Sequence, residues 1–374
     1  KGKPIETTTF RRESGYADGR HPDEVEYGAS LEEDLSRRDF TINALAYEPL
    51  EKSLVDLYGG QADLERRLIR AVGNPAERFD EDGLRPLRAL RFASQLGFEV
   101  EPETLAAIAP SLGRFRLVSP ERVREELEKI LRSPRPSTAL RLMEETGMLA
   151  IVLPELVRCR GVEQKGMHRF DVLDHLYASA DSAPADLVVR LAALLHDVGK
   201  PETRAIGADG IATFYGHEAL SAREAAEIMR RLRFPNAVTD EVAHLVREHM
   251  FFYEDSWTDA AVRRFLARVG ETEVERLFAL RLADGAGMAG IPVPPETLDP
   301  LRRRIGRILA DKEAFKLRDL AIGGNELASL GVPRGPAMGK ILAELLETVL
   351  DDPEQNTRER LLEIAGKIKG KYGA

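Results

Sequence analysis

In FDEDGLRPLRALRFASQLGF, residues 79–98, Asp82, Arg85, Arg88 and Arg91 recur at every third position. On an α-helix each step of three turns the side chain back by about 60°. The four therefore form a slanting band, with Asp82 in the first turn and Leu84, Leu87, Leu90 and Phe92 able to pack inward. Such a band can read a nucleobase. A carboxylate accepts from the exocyclic amino group that cytosine and adenine share, while a guanidinium donates to the neighbouring ring acceptor. Guanine and uracil present a carbonyl at that place and are repelled. The same spacing also serves a surface helix laced by i,i+3 ion pairs, each worth about 0.3 kcal/mol.

A second charged group, Arg37-Arg38-Asp39, stands ahead of the amphipathic run in RRDFTINALAY. It reads either as solvated charge at the mouth of a helix or as donors and an acceptor aimed at a nucleotide. Histidine supplies the third concentration of chemistry: six of the seven lie between residues 168 and 249. The pieces are DVLDHLY with His175, LAALLHDVGK with His196 and Asp197, YGHEALSA with His217, VREHM with His249, and RLADGAG with Asp284. His168 and His244 read as structural. Core packing gives no reason for imidazoles and carboxylates to converge, because unpaired buried charge is costly. A divalent cation removes that cost; a histidine cluster without an ion is the plainer alternative.

These groups need a scaffold, and 374 residues with 43% hydrophobic and 31% charged content supply two or three globular domains. A net charge of −9 argues against an indiscriminate polyanion binder, although local basic clusters can still hold nucleic acid. The one cysteine, Cys159, excludes an internal disulfide and suits a reducing, cytoplasmic setting. No apolar run approaches the ~20 residues of a membrane span, and no secretory h-region opens the chain. Ile5, Thr7, Thr8, Thr9 and Phe10 suit a strand, and residues 11–34 read as a loop. From about residue 60 helical periodicity dominates, in QADLERRLIRAV, DEDGLRPLRALRFASQL, SPERVREELEKILRS and RPSTALRLMEETGMLAIVL. Ser119-Pro120, with Glu121 following, marks a helix start, and Gly97 and Gly147 mark ends. A second helical block spans 162–290, with an extended insert at 205–215. GIPVPPETLDP at 290–300 reads as a linker, and a last helical segment runs to about 370.

EDLSRRDFTINALAY, LVDLYGGQADL and RFDEDGLRPLRALRFASQLGF, preceded by IETTTFR, resemble the class II bacterial tRNA nucleotidyltransferase and poly(A) polymerase family continuously from residue 5 to about 155. The resemblance implies that Arg38 contacts nucleotide and that Asp39 orients a strand-to-helix junction. It implies that Asp82 and Arg85 read the base, with Arg88 and Arg91 as further nucleotide contacts. It also implies Mg2+ for nucleotidyl transfer, ATP and CTP as substrates, and Glu6 as a third catalytic carboxylate. Partners would be tRNA, through its acceptor end and elbow, and nucleoside triphosphates, with no membrane and with a homodimer allowed. The metal-binding D-x-D of that family, on a strand after a glycine-rich turn, does not precede Lys1. The one D-x-D, Asp80-Glu81-Asp82, opens the arginine helix, so the head is expected to be incomplete.

The five histidine pieces resemble the HD phosphohydrolase superfamily. That likeness implies one metal held by His175, His196, Asp197 and Asp284 from three helices, of a kind (Mn, Ni, Co, Fe or Mg) that suits mixed imidazole and carboxylate donors. His217 and His249 would add a second metal or meet phosphate, and Lys200 would hold phosphate. The tail resembles the C-terminal segment of HD-containing members; GVPRGPAMGKIL sets glycines and Lys340 at a helix start, for RNA phosphate or for plain helix packing. The expected fold is mainly α, with a small N-terminal α+β part (an incomplete nucleotidyltransferase head) followed by helical neck, body and HD-type domain. The expected domains are 1–60, head remnant; 61–155, nucleotide-reading and neck helices; 156–290, HD metal-binding domain; 291–374, helical RNA-binding tail. The function expected is template-independent CCA or A addition to tRNA 3′ ends with an accessory HD phosphohydrolase. The alternatives are a poly(A) polymerase, a stand-alone HD phosphohydrolase with an RNA-binding head, and a non-enzymatic RNA-holding subunit.

Overall fold

The computed structural model describes residues 9–14, 24–28, 30–164, 169–208, 210–311 and 316–372. They fall into two compact units, Lys1–His249 with Ala279–Pro292, and Met250–Phe278 with Val293–Ala374. Residues 250–278, expected within the metal-binding block, thus cluster with the tail. Glu6, His168 and most of the expected Ile5–Phe10 strand lie outside the described residues.

In the first unit, the described part of residues 11–34 is not loop alone. Arg11–Ser14 pairs antiparallel with Glu24–Tyr27, Arg11 opposite Tyr27, and a helix begins at Leu31 behind a Ser30–Glu33 capping box. Backbone hydrogen bonds hold such a ladder, so RRES and EVEY need carry no apolar period. The junction at Arg37-Arg38-Asp39 is also reversed from expectation. The helix Leu31–Ser36 precedes it, and a single 3-10 turn, Thr41–Asn43, leads into the strand Leu45–Glu48, paired with Ser53–Asp56. Asp39 Oδ1 sets that turn by accepting from the Phe40 N–H (2.9 Å) and from Asn43 Nδ2 (3.0 Å).

QADLERRLIRAV divides as well: the helix Gly60–Arg66 stops at Arg67, which is left-handed at φ 55, and Leu68–Ile69 becomes a strand parallel to Glu99–Val100. The arginine helix is two helices, Pro75–Glu81 and Arg85–Leu96, with Asp82 extended between them. Pro86 is the physical reason. In a continuous helix its ring would meet the carbonyl of residue 82. Gly83 completes the break, since a Cβ there would lie 2.8 Å from the Arg114 carbonyl oxygen.

Arg85–Leu96 packs on Pro120–Leu131 and Pro136–Glu145, burying Leu87, Leu90, Leu127, Ile130 and Leu140. Ser119 stands at the N-cap position of the first of these two neighbours, with Pro120 in its first turn. Arg190, on the helix Leu187–Leu195, ties this bundle to the histidine-bearing helices. Its buried guanidinium donates to the carbonyls of Leu131 (2.5 Å), Ala183 (3.1 Å), Pro184 (3.1 Å) and Ser133. Helix-end carbonyls are met by a cation where water is excluded. Val172–Ser182, Leu187–Leu195, His217–Arg231, Asn236–Glu248 and the 279–289 part of Val274–Ala289 complete the first unit. The insert at 205–215 forms a short hairpin, Ala205–Ile206 with Ala212–Thr213.

The second unit is built on Asp259–Val269, Asp299–Ala310, Pro336–Asp351 and Arg358–Ile368. Phe251, Phe265 and Phe278 meet at ring separations of 5.2–6.4 Å, and Ile341, Leu345, Val349, Leu361 and Ala365 form a second core. The expected linker includes a 3-10 turn, Pro295–Leu298, running into Asp299–Ala310. Among the described residues no helix is long and apolar enough to cross a membrane.

Candidate active site

The break at residues 82–84 opens a cleft of about 480 Å³. Arg37, Arg38 and Asp39 line it from the junction ahead of the 3-10 turn, Asn43 from the turn itself, and Asp82, Arg85, Arg88 and Phe92 from the broken helix. Four guanidiniums against two carboxylates make it an anion-attracting cavity. Each charged group has a fixed seat. Buried Asp34 holds both Arg37 (2.5 Å) and Arg38 (3.2 Å). Burial alone would raise the Asp34 carboxyl, but those two arginines outweigh it and hold it below its ordinary value. Asp39 Oδ2 accepts from Arg88 at 2.5 and 2.8 Å. Asp82 accepts from the Leu84 N–H through Oδ1 (3.0 Å) and from Arg122 through Oδ2 (2.8 Å). Arg85 donates to Arg78 O, Glu81 Oε2 and Arg37 O. Two of its five N–H donors are left over.

Arg91 does not line this cleft. Six residues beyond Arg85 it has turned about 120° away. It is buried against Glu126 on the neighbouring helix, donates to Gln95, and lies over the Phe92 ring. A two-carboxylate clamp for Mg2+ is likewise not set out among the described head residues. Asp80 is exposed beside Arg114, Glu81 meets Arg78 and Arg85, and Asp82 and Asp39 are held by arginines.

The second constellation is deeply buried. His175 sits mid-helix on Val172–Ser182, and His196 and Asp197 stand where Leu187–Leu195 ends. Asp284 arrives on Val274–Ala289. Gly287 permits that approach, because a Cβ there would fall 2.1 Å from Ser179 Oγ and 3.0 Å from the His175 carbonyl oxygen. His175 Nε2 lies 3.0 Å from His196 Nε2, and 3.3 Å from both Asp197 Oδ2 and Asp284 Oδ1. His196 Nε2 lies 3.3 and 3.5 Å from the same two oxygens. Adjacent ligands of an octahedral ion with ~2.1 Å bonds stand about 3 Å apart, so these atoms are spaced to share one divalent cation.

Protonation supports the same fit. His196, His217 and His249 each turn Nδ1 to a backbone carbonyl, at 3.0, 2.6 and 2.7 Å. A carbonyl only accepts, so Nδ1 carries the hydrogen and Nε2 offers a lone pair inward when the ring is neutral. Burial opposes charge on His196, yet Asp197 and Asp284 outweigh it and push the imidazole up to about 10, while burial and His196 bring His249 down to about 3. The pair of carboxylates thus favours positive charge at this place. Asp197 also faces outward from this group, with Oδ1 3.2 Å from His217 Nε2 and 3.7 Å from His249 Nε2. Among the described residues, Asp197 Oδ1 and His217 Nε2 are buried without a hydrogen-bond partner. Lys200 lies 2.6 Å from Asp197 Oδ2 and donates to Gln164 at 2.6 Å.

Sequence models of three families match in order: the poly A polymerase head domain over residues 1–70, the probable RNA and SrmB-binding site of polymerase A over 97–159, and the HD domain over 166–286. The A-adding tRNA nucleotidyltransferase of Deinococcus radiodurans is 38% identical, covering 85% of this chain and 75% of its own length. The chain belongs to the class II tRNA nucleotidyltransferase and poly(A) polymerase family. Its members are enzymes, and this one carries the HD domain. The CCA-adding enzyme of Limosilactobacillus fermentum is 34% identical over 98% of this chain and 80% of its own, and the CC-adding enzyme of Thermus thermophilus 37% over 85% and 73%. Differently named relatives stand equally near, so overall likeness does not separate the base added. The crystal structure of the Bacillus stearothermophilus CCA-adding enzyme in complex with CTP matches with a TM-score of 0.71 at 29% identity, covering all of this chain and 81% of that one.

Within this family member, the cleft gathers Arg38, Asp82, Arg85 and Arg88, and the histidine cluster gathers His175, His196, Asp197, Asp284, His217, His249 and Lys200. Lys340 is exposed on the helix Pro336–Asp351. Sequence reasoning missed Asp34, although its i+3 and i+4 spacing to Arg37 and Arg38 was a signal. It also missed Arg122, whose partner lies 40 residues away and left none.

Proposed function

We propose that the chain is a tRNA 3′-end nucleotidyltransferase, adding CCA or A without a nucleic-acid template, in which the arginine-lined cleft selects the incoming nucleotide. The observation that carries this reading is the juxtaposition of Asp82, fixed by Arg122, with Arg38, Arg85 and Arg88 around one cavity. Asp82 accepts from the exocyclic amino group of cytosine or adenine, and Arg85 donates to the ring acceptor beside it. Arg38 and Arg88 neutralise phosphate. Mg2+ would serve the transfer step, with ATP and CTP as donors and tRNA as acceptor. CTP accompanies the Bacillus stearothermophilus relative. The described residues do not provide that ion's seat, and their part is selection and charge neutralisation. Calorimetry with CTP, ATP, UTP and GTP tests the proposal. Asp82→Ala should cost about 1–3 kcal/mol of discrimination; unchanged selectivity would return the cleft to a solvated helix face.

The histidine cluster supports a second activity, metal-dependent phosphoester hydrolysis. His175, His196, Asp197 and Asp284 would hold the ion, drawn from Mn, Ni, Co, Fe and Mg. When bound, it would lower the pKa of a water for attack at phosphorus. His217 and Lys200 stand beside Asp197, where they can meet phosphate oxygens, and the buried helices around them limit water. Elemental analysis of purified protein, paired with a phosphodiesterase assay on His196→Ala and Asp197→Ala, decides the matter. Wild-type protein without metal, or variants as active as wild type, would end the claim.

A further inference from the structure

The second unit carries a cleft apart from the two sites described above. It measures about 470 Å³, and its walls include Tyr253, Trp257, Asp259, Arg303, Arg304 and Arg307, with Asp255 as the second carboxylate. Three guanidiniums therefore face two carboxylates. One of these, Asp259, already serves two arginines: Oδ1 accepts from Arg304 at 2.6 Å and Oδ2 from Arg307 at 2.5 Å. Arg303 is exposed and forms no ion pair or hydrogen bond among the described residues. It lies one helical turn from Arg307 on Asp299–Ala310, so both present to the same face.

The aromatic wall adds a second kind of contact. Trp257 is half-buried, and Tyr253 and Phe265 meet it edge-on, at interplanar angles of 70° and 62°. Neither ring lies flat on the indole. Guanidinium forks match phosphate oxygens, and a flat indole face accepts a nucleobase of any sequence. A bare anion would need only the arginines, and an apolar ligand only the tryptophan.

We propose that this cleft is a second nucleotide site, which takes a phosphorylated nucleoside with its phosphate on Arg303 and Arg307 and its base against Trp257. The nucleoside phosphate comes either from an RNA strand or from a free nucleoside triphosphate. No residue of the site is shared with the selecting cleft or the histidine cluster.

Trp257 is the one tryptophan of the chain, so intrinsic fluorescence of the full-length protein reports on this place. Titrations use an acceptor-stem RNA minihelix, CTP, ATP and inorganic phosphate as probes. A fluorescence change with the minihelix alone assigns the site to RNA, and a change with CTP or ATP assigns it to free nucleotide. In either case Arg303→Gln with Arg307→Gln should weaken the midpoint about tenfold and lower the salt slope by about one per arginine. Trp257→Phe, followed by calorimetry, should weaken binding about tenfold as well, with circular dichroism checking the fold. Asp82→Ala should leave the fluorescence response intact, so this site and the selecting cleft fail separately. The proposal is overturned by no response to either nucleotide source, by responses indifferent to the arginine changes, or by inorganic phosphate alone producing the full effect.

Discussion

Arg122→Met isolates the group that aims the base-reading carboxylate. Arg122 donates to Asp82 Oδ2 at 2.8 Å, and both side chains are only about one-fifth exposed. A hydrogen bond between charges is worth ~1.5–3 kcal/mol when buried, and an exposed pair ~0–1 kcal/mol. At this exposure about 1 kcal/mol is expected, or roughly a fivefold fall in preference for CTP over UTP. The fall is partial because the Leu84 N–H still holds Oδ1 at 3.0 Å. Methionine keeps the length of the stem, so packing changes little. Calorimetry with the four nucleoside triphosphates separates aiming from general support. If Arg122 aims Asp82, affinity for CTP and ATP falls while affinity for UTP and GTP holds or rises. If it merely supports the fold, all four affinities fall together with Tm. An unchanged CTP to UTP ratio in a folded Arg122→Met protein would refute the aiming role, and in an Asp82→Asn background the substitution should have no further effect.

Two further outcomes test the scaffold. Gly287→Ala should lower bound metal and Tm, because the new methyl meets Ser179 Oγ and the His175 carbonyl and displaces Asp284; Ser179→Ala in the same chain should restore part of both, and elemental analysis with a thermal melt reads them. Asp63 is fully buried and accepts from Thr41 Oγ1 at 2.6 Å and from Arg70 Nε at 2.9 Å. Burial would raise its carboxyl, but Arg70 and Thr41 outweigh it and depress the folded value. Its stabilising contribution is therefore present above the unfolded value of about 3.9 and lost as pH falls through the lower folded one. Urea midpoints of Asp63→Asn and wild type should lie far apart near pH 7 and draw together as pH falls below the unfolded value of about 3.9; a gap constant with pH would contradict the assignment.

The sequence revealed periodic and capped elements well and partners poorly. Ser119-Pro120 starts its helix because the proline fixes a helical φ in the first turn, and Gly97 ends one because it takes the left-handed conformation, both set by the local backbone, whatever packs around them. The order of His175, His196-Asp197 and Asp284 pointed to one buried cluster because each piece carries the same unusual chemistry. By contrast, helical spacing in FDEDGLRPLRALRF hid the break at residues 82–84, where the proline ring at 86 and the tight approach at Gly83 act on the backbone. Residues 250–278 went to the tail because Asp259–Val269 packs on Asp299–Ala310 and Pro336–Asp351, and Arg263 donates to the Leu350 and Asp351 carbonyls. Apolar period tells which face is buried and not against what.

Arginine shows where that limit matters for function. Spacing of three made Asp82, Arg85, Arg88 and Arg91 equivalent, yet five N–H donors per guanidinium must each find an acceptor or water. Arg190 meets four carbonyls inside the protein, and Arg91 meets Glu126 and Gln95; both are struts. Arg88 spends its Nε and Nη2 on Asp39, and among the described residues Arg38 reaches only Asp34 and the Asn43 carbonyl. These two border open space with donors to spare, as does Arg303 in the second unit. A chain with net charge −9 can therefore attract polyanions at chosen places. Among the described residues, carboxylates and helix ends take up many guanidinium donors, and the cations left facing a cavity set the local potential that a phosphate meets.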